Sequence, residues 1–222
     1  MEKTKKELRE IIKSVKAYIE AEQLAGIEEF YSAPLAKLPK PQGLEELHQQ
    51  VLECRLCPLY KSRKNPVFGE GSPKARLVFV GEAPGKEEDL RGEPFVGRAG
   101  ELLTKIIEAM GLKRRDVYIC NVLKCRPPQN RNPLPQEIVA CRDYLRRQLE
   151  LINPKVICSL GKFACSALLS EDFPISRLRG TFQDFCGIKV MPTFHPAYLL
   201  RNPAAKALVW EDMQKVMAEL KK

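Results

Sequence analysis

The chain has 222 residues, 44% hydrophobic and 29% charged, enough for one α/β domain with a buried core and an appendage. No apolar run approaches the roughly 18 residues that cross a bilayer, and the opening MEKTKKELRE lacks the apolar core of a signal peptide, so a soluble, cytoplasmic protein without membrane contact is expected. The net charge of +9 suits a polyanionic partner; residues 1–31 carry six Lys/Arg against seven Asp/Glu, so the basic excess belongs to the rest of the chain.

Residues 4–24 read as an amphipathic helix, with Leu8, Ile11, Ile12, Val15, Ile19 and Leu24 at three-to-four spacing. Such a stripe either docks on a protein partner or, more commonly, packs on its own chain. SAPLAKLPKPQG, residues 32–43, reads as a proline-rich linker, which divides the chain into an appendage, 1–43, and a main domain, 44–222.

Four apolar, β-rich runs follow: Ala75–Val80, Val117–Leu123, Lys155–Leu160 and Ile188–Phe194. Helical patterns separate or follow them at Gly100–Met110, Pro135–Leu151, Lys162–Leu169 and Ala204–Leu220. This alternation predicts an α/β fold, a three-layer α/β/α sandwich with a central four-stranded, mainly parallel sheet. Ligands bind such folds outside the carboxyl ends of the strands. There the first run enters GEAPG (81–85), the second reaches Asn121, and the fourth enters HPAYLLR (195–201).

GEAPGK is not a phosphate loop. Glu87 stands where Ser or Thr is needed, the glycines are one residue too close, and Glu82, Glu87, Glu88 and Asp89 would repel a triphosphate. Eight cysteines in a reducing compartment are not expected to form four disulfides. Cys54 and Cys57 form a C-x-x-C pair, and with Cys125 and Cys141 they could supply four thiolates to zinc or to a [4Fe–4S] cluster. Spacing does not choose between these metals, or between them and metal-free buried thiols. Cys120, Cys158, Cys165 and Cys186 read as core, and His48 as solvated.

His195, after a buried strand, either faces the crevice or makes a structural hydrogen bond. Asn121 ties down a loop or offers its adjacent donor and acceptor to the edge of a base. Phe95 is a stacking platform or a core anchor.

Together, GEAPGKEEDLRGEPFVGRAGELL, NVLKCRPPQNRNPLPQEIVAC and TFHPAYLLR strongly resemble the family 4 uracil-DNA glycosylases, the iron–sulfur group first associated with thermophiles. The resemblance covers about residues 45–218. It implies a monofunctional DNA-repair enzyme that flips uracil out of single- or double-stranded DNA and hydrolyses its glycosidic bond. It also implies that Cys54, Cys57, Cys125 and Cys141 hold a structural [4Fe–4S] cluster. Phe95 would stack on the base, Asn121 would read its edge, and backbone groups of Glu82, Ala83 and Pro84 would complete the pocket. Glu88 would help exclude the thymine methyl, and His195 would stabilise the leaving uracil anion. Ala83 replaces the aspartate of the best-known uracil glycosylases, which leaves either Glu82 first and Glu88 second as the group that handles water, or a chemistry that relies mainly on stabilising the leaving group. Leu199 or Leu200 would wedge into the DNA and Arg201 would meet a phosphate. A monomer is expected. The rival readings are a non-catalytic Fe–S or zinc nucleic-acid-binding module on the same fold, and a redox sensor.

Overall fold

A computed structural model describes residues 41–169 and 174–222. The helix read at 4–24, its suggested partner surface and the linker as far as residue 40 lie outside the described residues. Among those described, one sheet contains β1 (Glu70–Gly71), β2 (Leu77–Gly81), β3 (Tyr118–Asn121), β4 (Val156–Leu160), β5 (Gln183–Phe185) and β6 (Ile188–Thr193). The spatial order is β1-β3-β2-β4-β6-β5. The four central strands are parallel and both edges are antiparallel. The central four are those expected from the apolar runs, with ends that differ by one or two residues. The edge strands were not anticipated, because two and three partly exposed residues carry no apolar periodicity.

The helices are α1 (Leu44–Leu52), α2 (Lys86–Arg91), α3 (Arg98–Ala109), α4 (Pro135–Ile152), α5 (Lys162–Leu169), α6 (Ile175–Leu178), α7 (Pro196–Arg201) and α8 (Lys206–Lys221). β2 and β4 are buried along their whole length, as parallel strands covered on both faces must be. Alternate side chains feed two cores. Val78, Val80 and Ile157 pack with Leu145 and Leu149 of α4 and Leu168 of α5. Leu77, Phe79 and Cys158 pack with Leu103 and Ile107 of α3 and Met213 of α8. The three layers follow from this alternation.

Local signals set the helix ends. Pro135 opens α4, where its missing N–H costs nothing, and Glu137 accepts from the Leu134 amide at 2.8 Å. Asn153 closes α4 in the left-handed region at φ 47°. Two expectations need correction. Cys186 is exposed, at φ 52° in the turn between β5 and β6, because that hairpin lies at the sheet edge. His48 is not simply solvated: its ring stacks on Phe68 with centroids 4.7 Å apart. Among the described residues no helix is long and apolar enough to cross a membrane.

The carboxyl end of β6 is fastened by charge. Asp212 of α8, fully buried, accepts from Thr193 Oγ1 at 2.6 Å. It also accepts from Arg179, Nη2 at 2.6 Å and Nε at 3.2 Å. Removing one partner of a buried ion pair leaves the other uncompensated. Asp212→Ala should therefore cost about 3–5 kcal/mol of unfolding free energy, measured as a fall in the urea midpoint at constant slope. A loss within the range of exposed pairs, below about 1 kcal/mol, would show that the network does not hold the strand.

Candidate active site

Because β2, β3 and β6 point the same way, their carboxyl ends open into one cleft of about 540 Å³. Its walls bring together Glu82, Ala83, Pro84, Glu88, Phe95 and Asn121 with His195 and Arg201. Leu199 is not at the surface. It is 1% exposed and packs in the core shared by α3 and α8. Its neighbour Leu200 is 39% exposed, since the turn of α7 that points residue 199 inward points residue 200 out. Of the two wedge candidates, only Leu200 is accessible.

Asn121, the last residue of β3, is 2% exposed. Its Oδ1 is buried with no hydrogen-bond partner among the described residues. Leaving a buried acceptor unpaired costs about 1–3 kcal/mol, and folded proteins seldom tolerate it without a reason. Gly81 makes the placement possible, because a Cβ there would collide with the Asn121 amide and with the Phe95 ring. Phe95 itself sits at φ 54°, a left-handed conformation that costs an L-residue about 1–2 kcal/mol. Its ring lies 5.6 Å from that of His195, tilted by 31°. Glu88 accepts from the amides of Gly85 (3.1 Å), Val96 (3.0 Å) and Gly97 (3.1 Å), so its carboxylate latches the loop after β2 to the loop that carries Phe95.

His195 precedes α7, and its Nδ1 accepts from the Ala197 amide at 3.1 Å. The neutral ring must then carry its proton on Nε2. Burial, reinforced by the Arg201 charge and opposed by Glu88, pulls its pKa down to about 4. The side chain is thus a neutral donor at ordinary pH. Burial acts oppositely on Glu82, raising its carboxyl above the usual range.

The four cysteines singled out by spacing also meet. Cys54 and Cys57 follow α1, Cys125 follows β3, Cys141 lies in α4, and all four line one small enclosed pocket. Arg63 Nη1 reaches Cys125 Sγ at 3.1 Å, and the backbones of Leu59 and Lys124 favour the thiolates of Cys57 and Cys141 against the larger effect of burial. Tyr144 makes hydrogen-bonding contact with Cys54. Burial pushes the Cys57 thiol up to about 11 and raises Cys125 and Cys141 as well. Among the described residues no three His, Cys, Asp or Glu side chains close upon a site for a single ion.

Two features of this region escape sequence reasoning. Lys124 is 1% exposed, and its Nζ donates to the Asn121 carbonyl at 2.7 Å and to Gln148 Oε1 at 2.5 Å. Gln148 in turn donates to the Phe68 carbonyl at 2.8 Å. This buried polar link runs between the cysteine pocket and the end of β3, yet a lysine in NVLKC reads as a surface residue. The second is the cleft wall formed by Asn130, Arg131 and Asn132. Gln129 and Asn130 adopt φ 54° and 55°, Arg126 donates to Asn130 Oδ1 at 2.7 Å, and Arg131 grips Glu137 at 2.6 and 2.9 Å. The prolines and asparagines of RPPQNRNP were the available signal for a shaped loop.

A mainly parallel α/β sheet with this cleft across its carboxyl edge forms the candidate site. The chain belongs to the uracil DNA glycosylase superfamily, whose model matches residues 68–216. It is similar to the type-4 uracil-DNA glycosylase of Thermotoga maritima, 49% identical over 81% of this chain and 95% of the relative. It is also similar to the type-4 enzymes of Archaeoglobus fulgidus, 46% identical over 79% of this chain and 92% of the relative, and of Saccharolobus solfataricus, 46% over 80% and 87%.

The histidine geometry is directly measurable. At pH 7 the ¹⁵N resonances of His195 should report the neutral Nε2–H tautomer, with protonation setting in only toward pH 4. Because this pKa lies below the unfolded value of about 6.5, the unfolded chain takes up the proton first. The histidine's contribution to stability is therefore complete above about pH 6.5 and declines as the pH falls toward 4. A titration midpoint near the unfolded value would mean that the ring is not buried as described.

Proposed function

We propose that this protein is a monofunctional uracil-DNA glycosylase of the type-4 kind, which hydrolyses the bond between deoxyribose C1′ and uracil N1, releases uracil and leaves an abasic site. The observation that carries the proposal is the unpartnered Asn121 Oδ1 at the base of a cleft shared with an aromatic face and a neutral imidazole donor. Uracil offers an N3–H beside the O4 carbonyl, the complement of a carboxamide. Cytosine offers the reverse and would leave buried groups unpaired. The base is out of reach in a duplex and must be flipped into the cleft.

In this reading Phe95 stacks on the flipped ring, and backbone groups of Glu82, Ala83 and Pro84 border it. As the glycosidic bond breaks, electron density moves onto the base. The Nε2–H of His195 donates to the carbonyl oxygen that gains charge, without first having to lose or gain a proton. Ala83 brings no group for handling water. Glu82 is the better candidate for orienting it, because its raised pKa makes it a stronger base. The Glu88 carboxylate is already engaged by three amides. Its part in excluding the thymine methyl is then to hold the wall in place. Leu200 is the wedge into DNA and Arg201 the phosphate contact. The enzyme acts as a cytoplasmic monomer, with residues 1–43 as an appendage available to a protein partner.

The same reading assigns a [4Fe–4S] cluster to Cys54, Cys57, Cys125 and Cys141. The residues fit this group. Four cysteine side chains line one small pocket, as thiolate ligation of a cluster would require, and the Arg63 guanidinium faces Cys125. When bound, the cluster supplies a covalent tie among the segment after α1, the segment after β3 and α4. The chemistry at the base remains with the cleft residues.

An oligonucleotide carrying one uracil, treated with protein and then alkali, should break at that uracil alone. His195→Ala should slow excision by about 10²–10³-fold. The dependence on His195 should be flat from pH 5 to 8, because the imidazole stays neutral throughout. DNA binding without base release would favour the non-catalytic module. Purified protein should contain iron and acid-labile sulfide in equal amounts, and Cys141→Ala should lose both. Zinc without sulfide would overturn the cluster assignment.

A further inference from the structure

Phe95 is a bulky aromatic held at φ 54°, and such a conformation persists only where the surroundings over-determine it. Its backbone is gripped from outside the cleft. The Arg114 guanidinium donates through Nη2 to the Pro94 carbonyl at 2.8 Å and through Nη1 to the Phe95 carbonyl at 3.3 Å. Nη1 also reaches Thr104 Oγ1 of α3 at 3.3 Å, and Nη2 pairs with Glu70 of β1 at 2.9 Å. Gly100 removes the remaining obstacle, since a Cβ there would overlap the Phe95 carbonyl. Arg114 does not itself line the cleft.

We propose that Arg114 is the positioning residue for the Phe95 stacking face, fixing the aromatic plane from the far side of its loop and anchored by Glu70 on the edge of the sheet. The inference rests on the glycosylase reading of the cleft. Three features support it. The planar fork of arginine can hold two successive carbonyls at fixed orientation, which a lysine ammonium cannot reproduce. The Glu70 partner is half-exposed, at 49% against 22% for Arg114, so the ion pair adds little to global stability and its value lies in geometry. The short strand β1, paired through Glu70 with Ile119 of β3, places that carboxylate beside the strand that ends in Asn121. The two halves of the base site, stacking face and reading amide, are therefore referenced to the same part of the sheet.

If Arg114 acts only through Phe95, the two residues form one unit, and their effects on excision will not add. Single-turnover excision from a uracil oligonucleotide is measured for wild type, Arg114→Ala, Phe95→Ala and the double variant, with thermal melting of each. Arg114→Ala is expected to slow excision on the order of 10–100-fold, and the double variant to be no slower than Phe95→Ala alone. Arg114→Lys should not restore the rate. Any further slowing in the double variant beyond Phe95→Ala would overturn the proposal, because a general structural role costs the same in both backgrounds. If Arg114→Ala does not fold, the same cycle is run with Glu70→Ala, which removes the anchor and leaves the guanidinium. Wild-type protein inactive on uracil would refute the glycosylase reading itself, whereas an active wild type with additive variants refutes only the role of Arg114.

Discussion

Gly81 ends β2 where any side chain would run into two others, the carboxamide of Asn121 and the ring of Phe95. Beyond it, the amides of Val122 and Leu123 donate to the carbonyls of Gly81 and Glu82, both at 3.0 Å, so the segment after β3 stays alongside the segment after β2. The hydrogen-bond ladder continues past the strands, and bare backbone forms the floor on which ring and amide meet. The rest of the cleft is built around that approach. Glu88 fixes one loop to the next, and Gly100 admits the Phe95 carbonyl. Gly161, at φ 88°, leaves room for His195, whose Cβ would lie 3.1 Å from a Cβ placed on that glycine.

Polar groups elsewhere in the fold are treated differently. Lys124 finds a carbonyl and an amide oxygen, and Asp212 finds a hydroxyl and a guanidinium. Glu137 finds Arg131 and a helix-capping amide. Each of these buried polar groups is matched by the protein itself, as burial demands. The Asn121 oxygen is buried as deeply but has no such match. Asn121 is the last residue of a central strand and lines the cleft.

The central strands were legible in the sequence because strands covered on both faces are apolar throughout, as in the run Ala75–Val80, which holds most of β2. The cleft was legible for the same reason: parallel strands collect their carboxyl ends, and the motifs lay there. Features that depend on pairs of distant residues were not legible. Nothing in the order of residues relates Arg114 to Phe95, or Lys124 to Gln148. A two-residue strand such as Glu70–Gly71 exists only because β3 is beside it. Leu199 and Leu200 show the remaining limit. Both are leucines in one short motif, and only the rotation of α7 decides which joins the core.

The Asn121 oxygen is already shielded from solvent, so for the base-reading role proposed here the desolvation that recognition ordinarily requires is built into folding. That advantage does not distinguish a base still joined to its sugar from one already cut free, since both present the same edge. If the base docks on this oxygen as proposed, that contact holds the freed base as readily as the intact nucleotide. Turnover must then draw on interactions that only the intact strand makes, and letting go of the base becomes a step the protein has to accomplish in its own right.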